Sequence, residues 1–169
     1  FKNKKIIKSF EIYNEKNKLV AVDPGRFTPP DYYKNATLLK PNLDEARIMA
    51  EALSTREKDP FKLAPFLAEK LKIEKIIITL GGEGMVLLDT VADGLVHHIP
   101  TVANEVYDVS GAGDTAISLL SAALKAGASL IEAAWIGNCG AGVVVAKKGT
   151  ATVNQDELIN FHKRLSEKL

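Results

Sequence analysis

Three consecutive isoleucines, at positions 76 to 78, lie in the centre of the segment Lys75 to Leu80, which contains no turn-forming residue. An unbroken β-branched run of this kind favours a strand that is buried on both faces, as in parallel sheets covered by helices. The glycine-rich segment Gly81 to Gly84 follows directly and ends the strand. A chain built around such a strand must place apolar helices on both sides of a sheet, which predicts an α/β fold.

The rest of the sequence alternates between strand and helix patterns and then becomes helical. Short apolar runs bounded by proline or glycine indicate strands, and apolar residues at helical spacing indicate helices. The predicted strands cover residues 19–22, 36–39, 75–80, 85–89 and 94–99, and the predicted helices cover residues 2–16, 42–50, 60–71, 111–125, 130–146 and 155–168. We find no internal repeat or domain boundary, so residues 1–169 are predicted to form one α/β unit with a mostly parallel sheet.

Composition argues against several classes of function. The 169 residues include 22 Lys and Arg against 21 Asp and Glu, so a net charge of +1 gives no bulk attraction to nucleic acid or to an anionic membrane. Cys139 is the single cysteine, and His97, His98 and His162 have no metal-ligand spacing, which argues against a disulfide framework and a zinc enzyme. No apolar run reaches the roughly 18 to 20 residues of a membrane helix, and the cytoplasm is the expected location.

The sharpest motif is the segment Asp108 to Thr115, in which a glycine-containing turn leads straight into an apolar helix. The small residues Gly111, Ala112 and Gly113 would expose backbone amides at the helix N-terminus, where a transferred phosphoryl group is stabilised. Asp114, in the first turn, could accept the proton of an attacking hydroxyl. The same residues also fit a tight turn followed by an acid that only stabilises the helix dipole, and both interpretations are open at this point.

A second glycine-rich turn, Thr79 to Gly84, follows the central strand at the end where α/β sheets present ligands. Its glycines, Gly81, Gly82 and Gly84, would let a phosphate approach the backbone. The turn is not a Walker A loop because no Lys-Ser/Thr pair follows, and a strand rather than a helix comes next, which excludes the dinucleotide fingerprint. An ordinary strand-to-strand turn is the alternative.

A third motif, Asn42-Leu43-Asp44-Glu45, begins a predicted helix that follows a strand. Its carboxylates could hold Mg²⁺ directly or through water, as phosphoryl transfer requires. The alternative is that Asn42 caps the helix and that Asp44 and Glu45 are favourable first-turn acids. We expect Lys40, which precedes this motif, to be a solvated strand-end residue rather than a phosphate ligand.

Together the three motifs resemble those of the ribokinase-like (PfkB) carbohydrate kinases. The segment Asp108 to Asp114 is similar to the C-terminal signature of that family. Asn42 to Glu45 is similar to its Asn-x-x-Glu motif and Thr79 to Gly84 to its Thr-x-Gly-x-x-Gly nucleotide loop, and all three occur in the family's order. Three further segments resemble the family members that phosphorylate D-glycero-β-D-manno-heptose 7-phosphate, namely residues 36–43, 100–108 and 142–150.

The resemblance implies a role for each matching residue. Asp114 would be the base that activates the sugar hydroxyl, and the amides of Gly111, Ala112 and Gly113 would form an anion hole. Asp108, with nearby backbone carbonyls, would hold a monovalent cation such as K⁺, although it could equally brace the turn through hydrogen bonds. The residues that would bind ATP are Asn42, Leu43, Asp44, Glu45, Thr79, Gly81, Gly82, Gly84 and Asn138, and Glu45 would also hold Mg²⁺, directly or through water.

The resemblance also implies a ribokinase-like three-layer αβα sandwich and a reaction. The γ-phosphoryl group of ATP would pass to the anomeric hydroxyl of heptose 7-phosphate and give the 1,7-bisphosphate, a precursor of ADP-heptose. The alternatives are another PfkB kinase, acting on a sugar, ketose phosphate or nucleoside, and a non-catalytic nucleotide-binding module. Kinase domains of the family are about twice this length, so we expect residues 1–169 to be the C-terminal, nucleotide-binding and catalytic part, without the N-terminal half and its lid. A cytoplasmic homodimer that binds ATP and a sugar phosphate, with no nucleic-acid or membrane partner, is the expected state.

Overall fold

Residues 18–103, 108–149 and 151–166 are described by the computed structural model of the chain. They divide between two compact units. The first, which we call the sheet unit, lies within Phe1–Gly81 and Met85–His98. The second, which we call the helical unit, lies within Gly82–Gly84 and Ile99–Leu169.

The sheet unit contains a five-stranded sheet in the order β1-β2-β3-β4-β5. The strands are β1 (Ala21–Val22), β2 (Leu38–Leu39), β3 (Lys75–Thr79), β4 (Met85–Asp89) and β5 (Val96–Ile99). The first three are parallel, whereas β3 and β4 are antiparallel. The connection through Gly81–Glu83 is too short for a helical crossover, so the chain returns antiparallel after β3. The predicted α/β class is confirmed, and the sheet is mixed.

Two helices, α1 (Leu43–Ala52) and α2 (Pro60–Leu71), pack against this sheet. The start of α2 follows from its sequence, because Asp59 Oδ1 accepts a hydrogen bond from the Phe61 amide at 3.0 Å and Pro60 occupies a position where an amide would lack a partner. The helices and strands share one buried core, whose members include Leu39, Ala46, Leu63, Leu67, Leu71, Ile76, Ile78 and Val86. This core fixes the ends of the strands from which two of the predicted motifs begin.

The helical unit contains α3 (Ala112–Lys125), α4 (Leu130–Val145) and α5 (Gln155–Ser166). Glycines on α4 allow its neighbours to approach closely. A β-carbon on Gly137 would lie 2.9 Å from Leu120 Cγ of α3, and one on Gly142 would lie 2.9 Å from Phe161 Cζ of α5. The missing side chains therefore let α3 and α5 pack tightly on α4.

Cys139 lies on α4 and is buried. Burial raises the pKa of its thiol to about 11, because the charged form would lose its hydration. The thiol is therefore neutral at physiological pH and contributes packing rather than reactivity.

The predicted elements agree with the structure to within a few residues, except in the first two strands. β1 and β2 contain two residues each instead of four, because only Ala21–Val22 and Leu38–Leu39 form paired ladder positions there. The predicted helix at residues 2–16 lies outside the described residues. Within the described ranges, no helix combines the length and the apolar character needed to cross a membrane.

Candidate functional site

The carboxyl ends of β1, β2 and β3 lie at the same edge of the sheet, because these strands are parallel. The residues that follow β2 are joined there to the end of β3. The Thr79 amide donates a hydrogen bond to Pro41 O at 3.0 Å, and Asn42 and Thr79 form a parallel bridge. The Asn42 to Glu45 motif and the start of the Thr79 to Gly84 turn are therefore neighbours in the sheet unit.

Asn42 and Glu45 form a reciprocal capping box at the N-terminus of α1. Asn42 Oδ1 accepts a hydrogen bond from the Glu45 amide at 2.9 Å, and Glu45 Oε2 accepts one from the Asn42 amide at 2.9 Å. Leu43 is half-buried against the core, whereas Asp44 is exposed. Capping thus uses the Oε2 atom of Glu45. Its Oε1 atom has no hydrogen-bond partner among the described residues. The role of Glu45 in holding Mg²⁺ stays a prediction.

The first glycines of the second motif lie in open surroundings. Gly81 has a φ of +60°, and a β-carbon on Gly81 or Gly82 would meet no described atom within 4 Å. Both residues are exposed, in a short 3-10 turn over Gly81–Glu83. A phosphate could approach their backbone without a steric obstacle from the described residues.

Gly84, the last glycine of the same motif, has a different environment. Its φ is +95°, and a β-carbon there would collide with the carbonyl oxygen of Ile99 and lie 2.7 Å from the Thr101 amide nitrogen. Gly84 is buried, and these neighbours are backbone atoms that cannot rotate away. The packing of the helical unit is therefore sufficient to explain why this position is glycine.

The third motif forms the uncapped N-terminus of α3 in the helical unit. Gly111 is the N-cap residue, with a φ of +81°, and no described side chain caps the helix. The first amides of an α-helix have no partner within the helix. The Ala112 amide donates a hydrogen bond to Val109 O at 3.2 Å in the preceding turn, whereas those of Gly113 and Asp114 have no backbone acceptor among the described residues. Asp114 is exposed in the first turn, and its carbonyl oxygen accepts a hydrogen bond from Ser118 Oγ at 2.7 Å. An exposed carboxylate thus adjoins a helix end that favours anions.

Asp108 lies at the start of this turn and is held on two sides. Its amide donates to Val145 O at 3.2 Å, at the end of α4, and its Oδ1 atom accepts a hydrogen bond from the Ser110 amide at 2.8 Å. The hydrogen bond from the Ser110 amide, with further contributions from the Ser110 side chain and the Gly149 amide, holds the pKa of the Asp108 carboxyl below its usual range. The carboxylate is therefore negatively charged at neutral pH, and the backbone of the same residue is joined to the end of α4.

Asn138 on α4 is buried, and its Nδ2 atom donates a hydrogen bond to Pro100 O at 2.8 Å. This bond ties α4 to the segment that follows β5. The side-chain amide thus has a structural partner, and the contact of Asn138 with ATP stays a prediction.

The expectation that Lys40 is solvated is wrong. Its side chain is buried, and its Nζ atom lies 2.9 Å from Asp23 Oδ2. Asp23 follows β1 and Lys40 follows β2, so the parallel pairing of the two strands brings these residues together. Sequence reasoning missed Asp23 as the partner of Lys40, and its position at a strand end before a Pro-Gly turn was the available signal.

Comparison of the sequence with known proteins identifies the family of the chain. Residues 5–157 match the model of the pfkB family of carbohydrate kinases. The chain is also 46% identical over 140 residues to the bifunctional protein HldE of Shewanella piezotolerans. The aligned segment covers 83% of this chain and 28% of that protein. The chain therefore spans less than a third of the length of this curated relative.

Solved structures show the same fold. Ribokinase from Thermotoga maritima superposes with a TM-score of 0.81 at 23% identity, over 94% of this chain and 53% of its own. Phosphofructokinase-2 from Escherichia coli, in complex with potassium, also superposes with a TM-score of 0.81, at 20% identity over 96% of this chain and 52% of its own. The family motifs lie at the strand ends of the sheet unit and at the start of α3. The chain belongs to the pfkB carbohydrate kinase family and has a ribokinase-like fold.

Proposed function

We propose that this chain forms the nucleotide-binding and catalytic part of a cytoplasmic sugar kinase that phosphorylates the anomeric hydroxyl of D-glycero-β-D-manno-heptose 7-phosphate. The observation that carries the proposal is the start of α3, where an exposed Asp114 adjoins uncapped amides behind the αL residue Gly111. Membership of the pfkB family and the 46% identity to an HldE protein support a phosphorylated heptose as the acceptor.

In the proposed reaction, Asp114 accepts the proton of the anomeric hydroxyl as that oxygen forms a bond to the γ-phosphorus of ATP. The bond between this phosphorus and the β,γ-bridging oxygen breaks, and ADP leaves. The amides of Gly111 and Gly113 stabilise the charge that the phosphoryl oxygens carry during transfer. The Ala112 amide, which the sequence also suggested for this role, is already bonded to Val109 O. Proton acceptance of this kind typically increases a reaction rate by about 10²-fold to 10⁴-fold.

The residues at the carboxyl edge of the sheet are proposed to bind the nucleotide. Gly81 and Gly82 offer exposed backbone without steric obstruction, and Asn42 lies beside Thr79. Glu45 has the oxygen chemistry that suits Mg²⁺ and would hold that ion through its Oε1 atom, directly or through water. When bound, the ion would neutralise phosphate charge.

A Glu45→Gln substitution separates capping from metal binding. The glutamine carbonyl can accept the same hydrogen bond from the Asn42 amide, so the free energy of unfolding should change by less than about 0.5 kcal/mol. Loss of the carboxylate should lower kcat/KM for ATP at limiting Mg²⁺ about 10-fold to 100-fold. Steady-state kinetics over a Mg²⁺ titration, with urea unfolding in parallel, measures both quantities.

Glu132 provides the matched control, because it closes an equivalent capping box with Ser129 at the start of α4. Glu132→Gln should leave the Mg²⁺ dependence unchanged. If Glu45→Gln behaves like this control, Glu45 has no part in metal binding.

Asp108 is proposed to hold a monovalent cation such as K⁺. Its carboxylate is charged, and its backbone amide is bonded to Val145 O at the end of α4. Phosphofructokinase-2, a protein of the same fold, has been solved with potassium. We expect kcat/KM to rise with KCl at constant ionic strength, and Asp108→Asn to raise the half-saturating K⁺ concentration about tenfold. Equal activity in Na⁺ and K⁺ for both proteins would contradict this assignment.

The acceptor is tested with the full-length gene product. Heptose 7-phosphate, fructose 6-phosphate, ribose and adenosine are supplied with Mg-ATP, and the product is identified by ³¹P NMR. A new anomeric phosphate on heptose 7-phosphate alone would support the proposal, whereas preferential turnover of another acceptor would assign a different pfkB kinase. Light scattering of the same sample tests the proposed homodimer.

A further inference from the structure

A buried lysine lies at the edge of the sheet and has no place in the motifs described above. Lys40 is 3% exposed, and within the described part of the chain its ammonium group has one partner, Asp23, whose side chain is 34% exposed. An ammonium group carries three donors. Burial of this group is costly, and pairs of this kind are often replaced by apolar residues without loss of stability. Stability alone therefore does not account for a charged pair at this place.

The pair lies where it can control the geometry of the strand ends. The Lys40 amide donates to Val22 O at 2.9 Å, and the ion pair adds a second tie between the residues that follow β1 and β2. The loop beyond Asp23 is held in turn, since the Gly25 amide donates to the buried Tyr33 Oη at 2.9 Å. Asp23 thus projects from an anchored segment.

The chain that leaves Lys40 leads directly into the proposed nucleotide site. The carbonyl oxygen of Pro41 accepts a hydrogen bond from the Thr79 amide, and the next residue, Asn42, caps α1. A displacement of Lys40 would therefore move the junction at which Asn42 meets Thr79, the first residue of the second nucleotide motif. Displacement of a site by about 1 Å can cost about 10²-fold in rate.

We propose that Lys40, held by Asp23, is a positioning residue for the phosphates of ATP in this protein. The inference rests on the proposed function, since it concerns the same nucleotide site. Lys40 acts through Pro41 and Asn42, and its effect is on ATP binding rather than on the acceptor.

A second ion pair in the same unit supplies the control. Lys75 Nζ lies 3.3 Å from Asp89 Oδ2, and both side chains are largely buried. Lys75 is the first residue of β3, so this pair lies at the opposite end of the strand from Thr79. Replacing Lys75 by methionine removes a comparable charge without touching the nucleotide motifs.

The test compares Lys40→Met with Lys75→Met in the full-length gene product. Calorimetry gives the Kd of Mg-ATP, kinetics gives KM for ATP and for the acceptor, and urea unfolding confirms that each variant is folded at the assay temperature. Lys40→Met should raise the Kd and KM of ATP about tenfold, or about 1.4 kcal/mol, with KM for the acceptor unchanged. Lys75→Met should stay within about twofold of the unsubstituted protein for all three constants.

An unchanged Kd in folded Lys40→Met, or an equal loss in Lys75→Met, would overturn the inference. If Lys40→Met does not fold, the double variant Asp23→Leu, Lys40→Met replaces the whole pair by apolar groups and is judged by the same Kd. Absence of ATP binding by the unsubstituted protein would refute the proposed function and this inference together, an outcome distinct from a failure confined to Lys40.

Discussion

Asp114→Asn is expected to lower kcat by about 10² to 10⁴ while it leaves the Kd of ATP within about twofold. The asparagine has the same shape as the aspartate but cannot accept the proton of the attacking hydroxyl. Because Asp114 is exposed in the first turn of α3, the fold should be unaffected. The rate of ADP release and calorimetric titration with Mg-ATP provide the two measurements.

Asp156→Asn is the matched control for this experiment, because Asp156 is an exposed first-turn acid of α5. It should retain full activity. Normal turnover by Asp114→Asn would show that this residue is not the base. Its carboxylate would then only stabilise the dipole of α3. Equal losses in the two variants would indicate a general effect of charge instead.

Gly84→Ala is expected to have the largest effect on stability, a loss of about 2 to 6 kcal/mol in the free energy of unfolding. A φ of +95° strains any L side chain, and the new β-carbon would collide with the Ile99 carbonyl. Strained backbone and overpacking each cost about 1 to 3 kcal/mol. Urea unfolding followed by circular dichroism measures the change.

Gly82→Ala tests the same motif without these clashes, since a β-carbon there meets no described atom within 4 Å. Its free energy of unfolding should change by less than about 0.5 kcal/mol. A Gly84→Ala variant as stable as Gly82→Ala would show that the backbone around Ile99 can move aside.

Local sequence patterns were sufficient for the elements whose signals are short-range. Pro60 and Asp59 determine the start of α2, and the isoleucine run determines β3, because these signals lie within a few residues of the element they specify. The strand after β3 was also predicted from its local pattern, whereas its antiparallel pairing with β3 was not. The family motifs indicated the fold and the family, which the comparisons show.

The burial of Lys40 could not be predicted in the same way. Its partner, Asp23, is distant in sequence and becomes a neighbour only through the parallel pairing of β1 and β2. A lysine at a strand end is usually solvated, so local composition favoured the wrong environment. Prediction of an ion pair of this kind requires the register of two strands.

The glycines of the second motif could not be separated by sequence either. Gly81, Gly82 and Gly84 are equivalent as letters of a phosphate-binding pattern, yet only Gly84 faces backbone atoms that exclude a side chain. The cause is the approach of the chain after β5, which no local pattern reveals. The open glycines are therefore the better candidates for ligand contact, and the buried one has a structural reason to be glycine.

The central claim is that the start of α3, at Gly111–Gly113, binds the phosphoryl group that ATP transfers. Hydrogen–deuterium exchange of the full-length gene product, with and without Mg²⁺ and a non-hydrolysable ATP analogue, tests it most directly. We predict slower exchange at Gly111–Gly113 in the presence of the analogue, with no change in the loop of residues 90–95. Unchanged exchange at Gly111–Gly113 at saturating analogue would contradict the account.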